Sequence, residues 1–251
     1  MAILKTQGLV LKYTDINEAD RILTVLTRDK GKIKAISKGC RRPKSSLLPS
    51  SELFAFSDFI LYKGTSFYHV SSGELRESFY DIRNDLLKLS YAVYFTELAD
   101  TVTDEDIPSE RLFIILSKTL YYLSRNEIPI GILSCGYQLK LMDLSGFRPQ
   151  IKKCVNCGSE ENLQKFSIKL GGALCNLCFE HDKSAIKISA GTLETIGYLL
   201  STPISRLNTI KIDNTIFIEI DKIIVDFVQN HLDKRFKSMD FINSIKSLER
   251  E

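Results

Sequence analysis

The sequence predicts a multi-domain chain of mixed α and β structure: a small β-barrel over residues 1–80, then an α-helical domain over 81–251 with a cysteine-rich insert near 150–182. Three observations carry this. Short β-leaning runs separated by turn signals fill the first part. Apolar residues recur at helical spacing after Asp81. Two Cys-x-x-Cys pairs, with 17 residues between them, fall inside the helical part.

Taken in order, Thr6 to Tyr13 is a compact β run around Leu9, Val10 and Leu11. Arg21 to Thr27 is rich in β-branched residues, and Asp29-Lys30-Gly31 is a turn signal. Lys32-Ile33-Lys34-Ala35 then alternates, so Ile33 and Ala35 face a core and Lys32 and Lys34 face water. The adjacent Ala35 and Ile36 break the alternation and predict a bulge or a strand end. Leu53 to Tyr62 reads as one long strand with Phe54, Phe56, Asp58 and Ile60 on one face, and Ser66 to Ser72 follows the Lys63-Gly64-Thr65 turn. Five short strands in so few residues suit a closed barrel of the OB-fold type. Beyond it, Leu86 to Ala99 predicts a helix. A second starts at Pro108, with Leu112, Phe113, Leu116, Leu120 and Leu123 inward, and a third runs from Pro129 to about Leu144. Helical patterns resume over Ser189–Ser201 and about Asn214–Leu232.

The composition is that of a globular chain, 44% hydrophobic and 26% charged, which excludes collagenous and low-complexity classes. No apolar run is long enough to span a bilayer. The first residues lack the basic start and apolar core of a secretion signal, so a cytoplasmic location is expected. The net charge of +3 hides an asymmetry: residues 1–80 hold 13 Lys and Arg against 8 Asp and Glu. Arg28 to Leu48 alone holds eight basic residues against the single acid Asp29. One concentrated basic segment in a near-neutral chain points to a local anionic partner.

Six cysteines are too few for a disulfide framework in 251 residues. Cys154, Cys157, Cys175 and Cys178 instead form two tight turns whose thiolates converge on one tetrahedral all-sulfur site. A hairpin between them, with Gly171-Gly172 as its two-residue turn, folds the second knuckle onto the first. Gly158 allows a positive φ after the first knuckle. The prediction is a four-cysteine zinc ribbon holding one structural Zn²⁺, because four cysteine ligands leave no open position. Unligated thiols at this spacing, a redox dithiol, and His181 as a substitute ligand are the alternatives. Cys135 reads as a core residue, and Cys40, in the basic loop, as a candidate for exposure.

The segment Lys38-Gly39-Cys40-Arg41-Arg42-Pro43-Lys44-Ser45-Ser46 combines charge with loop residues. On a mobile loop, Lys38, Arg41, Arg42 and Lys44 would follow the phosphates of a nucleic acid, with hydroxyls adding hydrogen bonds, and Lys34 on the preceding strand extends the patch. The alternative is a solvated charged turn. Phe54, Phe56, Phe59, Tyr62, Phe67 and Tyr68 lie nearby as candidate stacking residues, although alternate members must fill the core. No phosphate loop, HExxH, GxSxG or GxGxxG occurs, and the three histidines are far apart, so no catalytic site is expected.

The succession of Gly8-Leu9-Val10-Leu11, Asn17-Glu18-Ala19-Asp20-Arg21-Ile22-Leu23, Leu26 to Lys32 and Lys38 to Ser45 resembles the bacterial DNA repair family RecO. So do Gly146-Phe147-Arg148-Pro149, Cys154 to Gly158, Gly171 to Cys175 and His231 to Ser238, which extend the resemblance along nearly the whole chain. Cys40 stands where a small residue, usually Ala, is expected. The resemblance implies a recombination mediator without turnover. Such a protein binds single- and double-stranded DNA, anneals complementary strands and engages the tail of single-stranded DNA-binding protein (SSB). It acts with RecR, and in some settings RecF, to help RecA load. It implies no membrane association and a place on the nucleoid. A different zinc-ribbon nucleic-acid factor, for example in transcription, and a nucleotide-dependent or hydrolytic enzyme remain as rivals.

Overall fold

A computed structural model describes residues 3–248. Their contacts divide the chain into two compact units: residues up to Arg125 together with those from Ser238 on, and Asn126–Lys237.

The first unit begins with five strands, β1 (Ile3–Ile16), β2 (Asp20–Thr27), β3 (Gly31–Ser37), β4 (Phe56–Lys63) and β5 (Tyr68–Glu77). They close in the order β1-β2-β3-β5-β4, with β3 and β5 parallel and every other pair antiparallel. β1 is long because it serves two neighbours: Gly8 to Ile16 pair with β2, while Ile3 to Leu9 pair with β4. A register shift between Val10 and Lys12 bends it where the two ladders meet, which is how a strand turns a barrel corner. Alternate residues fill the interior, among them Leu23 and Val25, Ile33 and Ala35, and Phe59 and Leu61.

Several expectations change here. The β2–β3 ladder runs without a shift through Ala35 and Ile36, and β3 ends one residue later at Ser37, so the broken alternation marks a strand end and not a bulge. Lys32 is not turned to water; its side chain is 15% exposed and paired with Asp100. The apolar run from Leu53 is interrupted by Phe54, whose φ of 66° takes it out of the strand and into the core. The face carrying Phe56, Asp58 and Ile60 is the outer one, because Ser57, Phe59 and Leu61 point inward. Cys40 is fully buried rather than exposed.

Three helices follow in the same unit: α1 (Tyr80–Arg83), α2 (Leu86–Val102) and α3 (Glu110–Arg125). The Asp85 carboxylate caps α2 by accepting from the Lys88 amide at 3.0 Å. α2 lies against β1 and α3 against β2. That covers the outer faces of those strands and explains why β2 is buried on both sides. All five predicted inward residues of α3 are buried. On α2, by contrast, Leu86 is exposed while Lys88 and Tyr94 are buried.

The second unit contains α4 (Ile130–Leu144), β6 (Leu163–Ser167), β7 (Gly172–Cys175), β8 (Ile186–Lys187), α5 (Ala190–Ser201) and α6 (Asn214–His231). Sheet order is β7-β6-β8. Phe166 on β6 meets Phe227 on α6 edge-on at 6.0 Å, which ties the small sheet to the helical core. The hairpin turn is longer than the expected Gly171-Gly172 pair. Residues 168–171 make it, Gly172 is already in β7, and the Gly171 amide donates to the Ser167 carbonyl. Cys135 is buried in α4.

The last helix, α7 (Lys237–Leu248), returns to the first unit from Ser238 on. Its Ser238 hydroxyl donates to Glu97 of α2 at 2.6 Å. Among the described residues no helix is long and apolar enough to cross a membrane.

Candidate functional site

The four paired cysteines come together. Their sulfur atoms all lie within 4.8 Å of one another, with Cys157 exposed and the other three buried. The Cys157 and Cys175 sulfurs are 3.7 Å apart. That is far beyond a disulfide bond. It is close to the edge of a tetrahedron with metal–sulfur bonds of about 2.3 Å, roughly 3.8 Å. Backbone hydrogen bonds build the pocket. The Cys154 amide donates to Ser159, the Gly158 amide to Cys154, and the Val155 amide to Ala173 of β7, so the first knuckle is sewn to the second strand of the hairpin. Gly158 has φ 77°, the conformation that the turn after the knuckle requires. Burial pushes the Cys154 thiol up, but the amides of Cys157, Cys175 and Asn156 outweigh it and bring the thiol down to about 6. For Cys178, hydrogen bonding from the Asn156 amide pulls the other way, yet burial and the three neighbouring thiols push it up to about 12. Four converging soft donors that cannot all carry charge together fit one bound cation. His181 is exposed and is not part of the cluster.

The basic segment is a pinned chain of turns rather than a mobile loop. Successive amides of Arg42, Ser45, Leu48 and Ser51 donate to the carbonyls three residues earlier. The Gly39 amide donates to the Asp20 carboxylate at 2.7 Å, and the Arg41 amide to the Ala19 carbonyl. Beneath it lies Arg21, 8% exposed, bonded to Asp15, Glu52 and the Ser51 carbonyl, with its guanidinium 3.9 Å from the Tyr13 ring centre. Burial acts to lower the Arg21 pKa, but the hydrogen bonds to Glu52 and Asp15 outweigh it and hold the guanidinium above its ordinary value.

The five predicted phosphate-contacting residues divide. Lys38, Arg42 and Lys44 are exposed and have no carboxylate partner among the described residues. Arg41 lies 3.5 Å from Asp15, and Lys34 is paired with Glu105 at 2.6 Å. Of the six candidate stacking residues, Phe67 is half-buried and the other five are occupied elsewhere. Phe54 and Phe59 are core, Phe56 packs on Phe113, Tyr62 stacks on His69, and Tyr68 bonds Asp106.

The family described as recombination protein O, N terminal, matches residues 1–79, and recombination protein O, C terminal, matches 83–240. The chain belongs to the RecO family of DNA repair proteins. It is 36% identical over 247 residues to the DNA repair protein RecO of Acetivibrio thermocellus, covering 98% of each chain. It is 37% identical over 245 residues to the RecO of Alkaliphilus metalliredigens, covering 97% of this chain and all of that one. With the RecO of a Thermoanaerobacter species the identity is 37% over 248 residues, again across almost the whole of both chains.

Within this RecO-family barrel, the residues that sequence reasoning missed are the supports. Asp15, Asp20 and Arg21 hold the basic turns from below, and the signal was present in the Asn17-Glu18-Ala19-Asp20-Arg21 run. The pairing of Lys32 with Asp100, in the last turn of α2, and of Lys34 with Glu105, between α2 and α3, gave no local signal, because the partners are about 70 residues apart in sequence.

Proposed function

We propose that this chain is a recombination mediator that works without catalytic turnover. It binds single- and double-stranded DNA, anneals complementary strands, and acts with RecR, and in some settings RecF, to help RecA load on SSB-coated DNA in the cytoplasm. The observation that carries this reading is the exposed set Lys38, Arg42 and Lys44, free of acidic partners among the described residues and held on rigid turns at one end of an OB-like barrel. Cations fixed in this way meet a phosphate backbone without first losing loop entropy. Family membership supplies the recombination setting.

In this reading the labour is divided near residue 80. Residues 1–80 contact DNA, while 81–251 carry the metal and capture the acidic SSB tail. The cysteine cluster holds one structural Zn²⁺ per chain: an all-thiolate set leaves no position for substrate or water. Strand pairing itself drives annealing, so no nucleotide is consumed.

The test is the salt dependence of single-stranded DNA binding. Four contacts, from Lys38, Arg41, Arg42 and Lys44, at about −0.7 each give a slope of log K against log salt near −3. Replacing Arg41 and Arg42 by Ala flattens it by about 1.4. An unchanged slope in the folded double variant places the DNA surface elsewhere.

A further inference from the structure

Four of the basic residues that give the barrel its charge are already answered from within the chain. Lys12 reaches Asp100 at 2.6 Å and Lys32 reaches the same carboxylate at 3.1 Å; Lys34 reaches Glu105 at 2.6 Å, and Arg28 reaches Glu110 at 2.7 Å. All three acids lie on one stretch, from the end of α2 to the start of α3. That stretch is docked by its backbone as well. The Asp106 amide donates to the Lys32 carbonyl at 2.9 Å, and Lys32 and Glu105 form a parallel β-bridge. A Tyr68 hydroxyl bond to Asp106 adds a further tie. Gly31, at φ 67°, leaves room for it: a Cβ there would stand 1.7 Å from the Ile107 carbonyl oxygen. Asp104, Glu105, Asp106 and Ile107 are nonetheless exposed. The segment is a strap of carboxylates laid beside β3, held at its two ends by helices.

We propose that this strap is an internal phosphate mimic that competes with DNA for Lys34 on β3, leaving Lys38, Arg42 and Lys44 as the first contact. The inference rests on the DNA-binding reading above and adds its regulation. Exposed ion pairs are individually weak and salt-screened, so a polyanion can displace them, whereas a short or weakly held strand does not. The two pairs differ accordingly. Lys32 with Asp100 is largely shielded and stays closed, with Lys32 also donating to the Asp100 carbonyl at 2.6 Å. Lys34 with Glu105, about half exposed on both sides, is the one that opens. The consequence is a site that discriminates by length. A strand long enough to hold the basic turns and reach β3 gains the extra cation, and a shorter one does not.

The experiment measures binding of the full chain to a labelled single-stranded oligothymidine across salt concentrations, for the native protein and three variants. Glu105→Gln frees Lys34 and adds one phosphate contact. The slope steepens by about 0.7, and binding at about 50 mM salt tightens about eightfold with little change near 1 M. Asp104→Asn removes the same charge from an exposed residue with no side-chain partner among the described residues, and leaves the slope as in the native chain. Combining Lys34→Ala with Glu105→Gln abolishes the gain. Three results overturn the strap: an unchanged slope in Glu105→Gln, an equal gain in Asp104→Asn, or a gain that survives in Lys34→Ala/Glu105→Gln. Failure of the native chain and every variant to bind DNA overturns the DNA reading itself, and the strap with it.

Discussion

Replacing Cys175 by Ser tests the ribbon where its structure is thinnest. The buried cluster around the four sulfurs is small: Cys154, Cys175 and Cys178 with Leu174 and Ala185, edged by the partly buried Val155, Leu163 and Phe179. Leu174 is its single large side chain with no exposure, worth about 2 to 3 kcal/mol of burial, too little to order two knuckles and a hairpin. In the proposed reading, metal ligation supplies most of the local stability. Structural zinc binding contributes about 10 to 16 kcal/mol through four ligands, so one lost thiolate costs about 3 to 4 kcal/mol. That raises local opening about 100- to 1000-fold. Hydrogen exchange reads it directly. The amides of Cys154, Val155 and Gly158, all bonded inside the ribbon, should exchange faster by that factor, and bound zinc should fall below one per chain. Amides in the middle of α6 should be unaffected. Exchange in the ribbon that is the same in Cys175→Ser and in the native chain would show that Cys175 ligates no metal. So would pure native protein without metal and with all four thiols open to alkylation.

Two further outcomes follow from buried charge. Arg21→Ala removes the partner of the partly exposed Asp15 and Glu52 and unpins the basic turns, and should destabilise the barrel by about 2 to 3 kcal/mol in denaturant unfolding. Arg21→Lys should not rescue it, because a lysine cannot bond three partners while lying on the Tyr13 ring; a loss under about 1 kcal/mol would contradict this. Burial holds the Asp226 carboxyl above its usual range, with Lys222 opposing. An acid raised in the folded state opposes folding progressively as pH climbs from its unfolded value through its folded one. Asp226→Asn should therefore raise the melting temperature by about 1 to 2 °C near pH 7 and leave it unchanged near pH 3. The same gain at both pH values would show that the charge is not the cause.

What the sequence made legible, and what it hid, divides by range. The inward set of α3 could be read because Leu112, Phe113, Leu116, Leu120 and Leu123 keep helical spacing and one face takes all the burial. The cysteine site could be read because its spacing encodes its geometry. α7 escaped because its firm anchors are few: Met239 and Ile242 are buried while Phe241 and Leu248 are exposed, so its apolar pattern is broken. Phe54 was drawn into a strand by its apolar neighbours, since a positive φ leaves no mark on hydropathy. The basic segment announced its charge but not its pairing. Glu105 lies about 70 residues from Lys34, and only the fold brings them together. Sequence also overstated the loop's freedom, because the hydrogen bonds that pin it run to Ala19 and Asp20 across the barrel's first hairpin.

In the proposed function, rigidly presented cations on the barrel let this RecO-family chain anneal DNA without turnover. The most direct measurement is the annealing rate of complementary strands coated with the cognate SSB, without nucleotide, for the native chain and for Lys38→Ala/Arg42→Ala/Lys44→Ala. Losing three contacts weakens single-strand binding about 100-fold at about 100 mM salt. The native chain should anneal efficiently and the folded triple variant at least about tenfold more slowly. Equal rates for the two proteins, or annealing that requires ATP, would contradict it.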